Sequence, residues 1–377
     1  MLETLSSAGE VAFFYVVPAL VVLTVVVFIH ELGHFLVARW CGVEISTFSI
    51  GFGRELFGFD DRHGTRWRVS AIPLGGYVKF VGDENGASFP DPEVLAATTP
   101  EERAGLFHFK PVWQRAAVVF AGPFANFILA VVLFAAVFGT IGKPVTTPLV
   151  EIVNPGSAAE EAGFKPGDTI VAIDGSRVET FTDVQRVVAL ASGETLHFTV
   201  ERDGRDIELT ATPQRQEIPD GLGGTQRIGV LGVSRAADVR LERFGPIGAI
   251  GEGMRETYVV VERTLTYVGR IFRGRENADQ LSGPLRVAQV SGVVAESGGI
   301  PGLVHLAAIL SVSIGLLNLF PVPMLDGGHL VFYLIEAIRG RPLGPRAQEM
   351  GFRIGFALVI MLFVFVTFND IVRMTGI

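Results

Sequence analysis

The chain has 377 residues, of which 49% are hydrophobic and 19% are charged, and its net charge is −8. Soluble globular chains have about 25% charged residues, so this composition argues against an ordinary soluble protein. The one cysteine, Cys41, excludes an internal disulfide.

Four apolar runs predict helices that cross a membrane, which takes about 20 mostly apolar residues per helix. Asp, Glu, Lys and Arg are absent from Val11–Ile29, Ala116–Gly142 and Ile300–Leu325. The fourth run, Ile354–Asn369, is shorter, but Arg353 can extend its charge to the membrane surface. The first run has no preceding Lys or Arg and no small-residue cleavage site, so we expect it to be retained rather than removed as a signal peptide.

Basic residues between the runs set the expected orientation. They cluster between the first two runs and between the last two, which the positive-inside rule places in the cytoplasm. Both termini and the segment between the second and third runs are then expected to face outward. The basic residues are Arg39, Arg54, Arg62, Arg66, Arg68, Lys79, Arg103, Lys110 and Arg115, then Arg339, Arg341, Arg346 and Arg353.

The first run leads into His30-Glu31-Leu32-Gly33-His34, which fits the pattern H-E-x-x-H. Residues four apart share a helix face, so both histidines can bind one metal ion. Glu31 then lies where it can take a proton from water that zinc activates. Ionisable groups in a membrane are costly and usually functional. The five-residue pattern also fits a polar helix end at the membrane surface.

A β-hairpin is predicted between the first two runs. The segment RWRVSAIPLGGYVKFVGD alternates in polarity around Gly75-Gly76, a pair typical of a two-residue turn. The hairpin either contacts a substrate or has a purely structural role.

The motif FAGPFAN lies in the second run. Gly122-Pro123 can kink a helix there, and Asn126 can form a hydrogen bond across a helix bundle. Ordinary helix packing in the membrane is the alternative interpretation.

The region 143–300 has the pattern of a soluble α+β domain followed by a linker. The string AGFKPGDTIVAIDG within it resembles a bacterial-type PDZ domain, a module that binds extended peptides by strand addition. Another small β-rich domain is the alternative. An amphipathic stretch beyond it is expected either to lie along the outer membrane surface or to form a plain linker helix. The predicted elements are strands at Leu149–Val153, Thr169–Ile173 and Arg227–Val233, a helix at Thr182–Ala191 and a hairpin around Asp203-Gly204.

The third run ends in NLFPVPMLDGGH. Its prolines, Pro321 and Pro323, break a helix, and Gly327-Gly328 let the backbone turn after Asp326. Catalytic zinc usually has three protein ligands, and Asp326 is the candidate for the third. Alternatively, Asp326 caps the next helix.

Taken in order, HELGH, FAGPFAN, the PDZ-like segment and NLFPVPMLDGGH resemble the bacterial site-2 protease family of intramembrane zinc metalloproteases, in its branch with a single PDZ domain. The resemblance implies that His30, His34 and Asp326 bind one Zn²⁺ per chain and that Glu31 is the catalytic base. It also implies a membrane-associated hairpin whose edge pairs with an unwound substrate. The candidates for positioning the substrate are Asn318, Asn126, Gly75 and Gly76.

We therefore expect an α-helical polytopic membrane protein with four transmembrane helices, an inserted α+β PDZ domain and a membrane-associated β-hairpin. The expected divisions are a membrane part at 1–142, the PDZ domain at 145–235, an amphipathic linker at 236–300 and a second membrane part at 301–377.

The expected activity is zinc-dependent hydrolysis of peptide bonds within or near the transmembrane segment of single-span substrates. The resemblance implies trimmed anti-sigma factors or remnant signal peptides as substrates, in a bacterial cytoplasmic membrane. The PDZ domain would face the periplasm and the active site the cytoplasmic side. The lipid bilayer and a peptide ligand of the PDZ domain are expected partners, and nucleic acid is not. A non-catalytic membrane PDZ scaffold and a metal transporter are the alternatives.

Overall fold

The structure, a computed structural model, describes residues 2–83, 98–219, 225–235, 240–274 and 281–375. The chain divides into two compact units. The first comprises Met1–Ala136, Ile250–Val268 and Leu281–Phe368, and the second comprises Val137–Ala249, Gly269–Gln280 and Asn369–Ile377.

Four helices in the described residues contain segments long and apolar enough to cross a membrane, at Phe13–Trp40, Val112–Thr140, Pro284–Asn318 and Arg346–Met374. These segments overlap the four apolar runs, so the prediction of four spanning helices is confirmed. The helices are α1 (Leu2–Trp40), α2 (Pro100–Arg103), α3 (Val112–Thr140), α4 (Ala158–Glu161), α5 (Phe181–Leu190), α6 (Pro246–Phe272), α7 (Pro284–Asn318), α8 (Asp326–Arg339) and α9 (Pro345–Thr375).

The third spanning helix begins and ends earlier than its uncharged run. Helix α7 begins at Pro284, bends at Gly299, where φ is 55°, and ends at Asn318. Two prolines follow, Pro321 and Pro323. Because proline lacks an N–H and clashes with the preceding turn, the last residues of the uncharged run leave the helix and form the segment that leads to α8.

The predicted hairpin is present, and its chain reverses both at Asp61 and within the second strand. Strands β1 (Ile45–Asp60) and β2 (Arg66–Phe80) pair antiparallel. Oδ1 of Asp61 closes the turn by accepting from the N–H groups of His63 and Thr65, at 2.8 and 3.0 Å. The chain also reverses within β2, because residues 47–50 pair with residues 66–69 in one direction and with residues 76–79 in the other. The turn predicted at Gly75-Gly76 is therefore displaced: the reversal lies between Val69 and Gly76, and Gly76 itself is paired with Ile50.

Aromatic packing fixes the hairpin against α1. The first half of β1 pairs with both ends of β2, so that Ile50 lies opposite both Gly76 and Val69. This fold buries Phe48 completely. The Phe48 ring lies 5.4 Å from that of Phe35 in α1 and 4.4 Å from that of Trp67. The last residues of β2 are therefore held beside α1.

The second unit contains the β-rich region. Strands β5, β6, β7 and β8 form a four-stranded sheet in the order β6-β5-β7-β8, and two-stranded ladders join β10 to β9, β11 to β4 and β12 to β3. Its buried core includes Val150, Ile170, Val184, Phe198 and Val200. The strands are β3 (Lys143–Val145), β4 (Val150–Val153), β5 (Thr169–Ile173), β6 (Ser176–Arg177), β7 (Leu196–Arg202), β8 (Arg205–Ala211), β9 (Gln214–Pro219), β10 (Thr225–Val230), β11 (Val233–Arg235) and β12 (Arg240–Glu242).

Local sequence signals explain most of these elements. Ser157 caps α4, accepting from the N–H of Glu160. Thr180 and Asp183 form a capping box at the start of α5. The strand predicted at Arg227–Val233 is interrupted at Gly232, where φ is +87°, and forms β10 and β11.

A buried ion pair ties β7 to the turn before β5. Burial opposes the charge on Asp168, but hydrogen bonds from Arg202 and from the backbone of Lys165 outweigh it and hold the pKa of Asp168 below its ordinary value. The Arg202 Nε–Asp168 Oδ1 distance is 2.6 Å.

The predicted amphipathic stretch forms α6. A Cβ at Gly253 would come within 2.7 Å of the Val131 carbonyl in α3, so this part of α6 packs closely on a spanning helix. The rest of the predicted linker at 236–300 includes residues 236–239 and 275–280, which lie outside the described residues.

Candidate metal centre

Two histidines and an aspartate meet in the first unit. Nε2 of His30 lies 3.2 Å from Nε2 of His34, and the two histidines lie 3.2 and 3.6 Å, respectively, from Oδ2 of Asp326. Helix α1 supplies both histidines, and Asp326 is the first residue of α8. The sequence places these residues almost 300 positions apart, and the structure brings them together.

The arrangement fits zinc. Ligands about 2.0–2.1 Å from a tetrahedral zinc lie about 3.3 Å from one another, close to the distances between these three atoms. Oδ2 of Asp326 is buried and makes no hydrogen bond of acceptable geometry, as expected of an atom that serves as a ligand. In the part of the chain that the structure describes, this is the one cluster of three such side chains able to hold a metal ion.

Glycines allow α1 and α3 to come close enough for this geometry. A Cβ at Gly33 would overlap the carbonyl of Ala121, and a Cβ at Gly122 would overlap the ring of His34. The His34 ring thus lies directly against the α3 backbone. Its Nδ1 lies 2.8 Å from the carbonyl oxygen of Val118, so Nδ1–H donates there and Nε2 is left free for a metal.

A tight turn directs Asp326 toward the histidines. Met324 has φ of 94°, a conformation that is rare for a bulky residue and marks a constrained backbone. A Cβ at Gly327 would overlap the carbonyls of Leu319 and Phe320, so only glycine fits at this position. The N-cap of α8 is Leu325. Asp326 is therefore not the N-cap of α8, which was the alternative role that the sequence allowed for it.

The three side chains border a cavity of about 360 Å³ that Glu31 also lines. Glu31 lies within hydrogen-bonding reach of the backbone of Val78 in β2. A Cβ at Gly76 would come within 3.1 Å of Cγ of Glu31 and 2.8 Å of the carbonyl of Ser49. The absence of a side chain at Gly76 thus lets the hairpin contact the residue next to the histidines.

The remaining candidates from the sequence differ in position. Asn318, Gly75 and Gly76 line the cavity, and Nδ2 of Asn318 lies 3.4 Å from Nε2 of His30. Asn126 is fully buried behind His30, with its Nδ2 3.3 Å from Nδ1 of that residue. It contacts a histidine and does not line the cavity.

Sequence reasoning missed several cavity residues, among them Phe52, Tyr77 and Met324. It also missed the Val118 carbonyl, because a backbone acceptor has no signature in the sequence. The nearby Gly122-Pro123 pair was the signal in the sequence that could have pointed to this part of α3. His329 also lines the cavity, with its ring 5.3 Å from that of Phe352.

The chain is similar to known proteins over nearly its whole length. The model of peptidase family M50 matches residues 18–362. A protein of Agrobacterium fabrum that carries the name of a zinc metalloprotease is 52% identical over 365 residues, or 96% of this chain and 97% of its own. Metalloprotease MmpA of Caulobacter vibrioides is 44% identical over 95% of each chain. Zinc metalloprotease RasP of Geobacillus kaustophilus is 32% identical, over 98% of this chain and 99% of its own.

Proposed function

Since this chain belongs to peptidase family M50 and is a membrane zinc metalloprotease of the site-2 type, we propose that it cleaves membrane-anchored proteins within or near their transmembrane segments. The observation that carries the proposal is the cluster of His30, His34 and Asp326. Both histidines belong to a segment apolar enough to span a membrane. A substrate peptide bond would therefore have to reach the site from the bilayer.

The proposed ligands are Nε2 of His30, Nε2 of His34 and Oδ2 of Asp326. Zinc held by these atoms would polarise a peptide carbonyl and activate water at neutral pH. Glu31, in the same cavity, acts as the general base, taking a proton from water and giving it to the leaving amine. Asn318, whose amide also borders the cavity, helps to hold the substrate chain.

The hairpin is proposed to hold the substrate in an extended form. A transmembrane helix hides its carbonyls in internal hydrogen bonds, so its peptide bond must be unwound before it can be attacked. A strand edge offers the unwound segment new partners. Gly75, Gly76 and Tyr77 of β2 line the cavity together with Glu31, which supports this role.

The β-rich region at 145–235 is proposed to be a PDZ domain. Support comes from the order of its elements: β4, the Ser157-capped α4, the AGFKPGD turn, β5, α5 and a β7–β8 hairpin. We place this domain outside the bacterial cytoplasmic membrane, because the basic residues flank the opposite ends of the spans. A cysteine at Ser176 in a Cys41-free chain should be labelled from outside the cell, and labelling only from the cytoplasm would reverse the orientation.

Trimmed anti-sigma factors and remnant signal peptides are the proposed substrates. The experiment compares the wild-type chain with Glu31→Gln, using a reporter with one transmembrane segment in reconstituted vesicles. The variant should keep its fold and its zinc, because it loses the proton acceptor and no ligand. Its cleavage rate should fall by about 10²–10⁴-fold.

Glu349→Gln is the matched control, because Glu349 is exposed and pairs with its helical neighbour Arg353. It should cleave as the wild type does. If Glu31→Gln cleaves at nearly the wild-type rate, Glu31 is not the base.

A further inference from the structure

Asn126 has an orphaned polar atom next to a candidate ligand. The residue lies in α3 and is fully buried. Its Nδ2 faces Nδ1 of His30 at 3.3 Å, whereas its Oδ1 is buried and has no hydrogen-bond partner among the residues that the structure describes. A buried amide oxygen without a partner is costly, and such atoms are rare in folded proteins.

The chemistry of His30 indicates which end of the Asn126 amide should face it. Nε2 of His30 faces His34 and Asp326, so a metal would bind there and the ring proton would reside on Nδ1. Nδ1–H then needs an acceptor, but Nδ2 of an amide is a donor. The oxygen and nitrogen of an asparagine amide are exchanged by a half-turn of the side chain. That half-turn places the orphaned Oδ1 on Nδ1–H.

The backbone of Asn126 is fixed from the other side. Oγ of Ser311 in α7 donates to the carbonyl oxygen of Asn126 at 2.8 Å. A Cβ at Gly315 would lie 3.1 Å from Cβ of Asn126, so α7 packs closely on this residue. The amide is therefore held at a fixed position behind His30, as the Val118 carbonyl is held behind His34.

We propose that Asn126 is a positioning residue for the metal site, whose amide oxygen accepts the Nδ1 proton of His30 and leaves Nε2 free to bind zinc. The inference rests on the proposed function, because it takes His30 as a ligand. It replaces the role in substrate positioning that the sequence suggested for Asn126. Partners of this kind hold a ligating histidine in one tautomer and one orientation.

The test measures the zinc dissociation constant of the purified full-length protein in detergent, by competition with a chelator of known affinity. Asn126→Ala should weaken zinc binding by about 10–100-fold. Asn126→Asp should stay within about threefold of the wild type, because a carboxylate oxygen accepts the same proton. Ser291→Ala is the control, because Ser291 is a fully buried serine of the same helix α7 whose Oγ donates within that helix's own turn, to the carbonyl of Val287, and it should bind zinc with nearly wild-type affinity.

A second readout is the visible absorption spectrum of the Co²⁺-loaded protein, which reports ligand geometry directly. Asn126→Ala should change this spectrum, and Ser291→Ala should leave it unchanged. Where Asn126→Ala does not fold, Asn126→Leu takes its place, since leucine fills the same volume without polar atoms.

Several results would overturn the inference. Wild-type zinc affinity in Asn126→Ala, with a raised KM, would assign Asn126 to the substrate instead. Equal losses in the alanine, aspartate and Ser291→Ala variants would indicate general packing. If the wild-type protein binds no zinc, the proposed function itself fails, whereas failure of the inference alone leaves wild-type zinc binding intact.

Discussion

Glycine positions shape the metal site as strictly as the ligands do, because a side chain there would displace a ligand. Gly122 lies where a Cβ would overlap the His34 ring, and the same ring bonds to the carbonyl of Val118. Gly122→Ala should therefore push the ring away from its acceptor. We expect zinc affinity to fall by about tenfold or more, measured by chelator competition, with a matching loss of cleavage.

Gly139→Ala in the same helix is the control. A Cβ at Gly139 would meet Ala249 at an ordinary contact distance of 3.5 Å, so that variant should bind zinc normally. Wild-type zinc affinity in Gly122→Ala would show that the ring has room to move.

The sequence could predict the ionisable residues of the site but not the residues that orient them. His30, Glu31 and His34 lie within one helical motif, and Asp326 follows a double proline break. Their side chains have recognisable chemistry at recognisable spacing. The groups that orient them are the carbonyl of Val118 and the amide of Asn126, together with the absence of a side chain at Gly122. Their contributions depend on which helices touch, which no local pattern specifies.

Among the helices, α8 needs a fixed position because it begins with Asp326. Arg115 at the start of α3 donates from Nη2 to Oε1 of Glu336 in α8 at 2.6 Å, and both side chains are only 13% exposed. This ion pair joins α8 to the helix that contacts His34. Removing one partner of such a pair leaves the other charge uncompensated.

Arg115→Ala should therefore destabilise the protein by about 3 kcal/mol and lower zinc affinity, as measured by denaturant unfolding in detergent and by chelator competition. Arg353→Ala is the control, because its pair with Glu349 is exposed and is worth less than about 1 kcal/mol. Equal stabilities of the two variants would show that the Arg115 pair does not hold α8.

The hairpin shows where element prediction fails. Gly75-Gly76 has the composition of a two-residue turn, yet the chain reverses between Val69 and Gly76, and Gly76 itself is paired with Ile50. The turn between β1 and β2 uses Asp61 as an acceptor for two backbone N–H groups. Glycine serves both for tight turns and for close approach of backbone to a neighbour. Only contact with Ser49 and Glu31 distinguishes these two uses at Gly76.

For the molecule as a whole, the proposed PDZ domain is predicted to act as a filter. In the sequence it lies between the second and third spanning helices, and none of the residues proposed to do the chemistry belongs to it. Replacing Val150–Val233 with a flexible linker should leave zinc binding intact. The shortened enzyme should cleave substrates whose outer domains have not been removed, whereas the wild type should cleave only trimmed ones.

Both enzymes should be compared on trimmed and untrimmed substrate at matched expression. If the shortened enzyme cleaves trimmed substrate normally and still refuses the untrimmed form, the domain is not the filter. If it cleaves neither form yet binds zinc, the domain is needed to recruit substrate or to assemble the helices.

The most direct test of the account is the zinc content of the purified protein and of three variants, His30→Ala, His34→Ala and Asp326→Ala. One site built from these residues predicts about one zinc per wild-type chain, and loss of most of that zinc in each variant while the fold is retained. Well-folded wild-type protein without zinc, or full zinc content in all three variants, would contradict it.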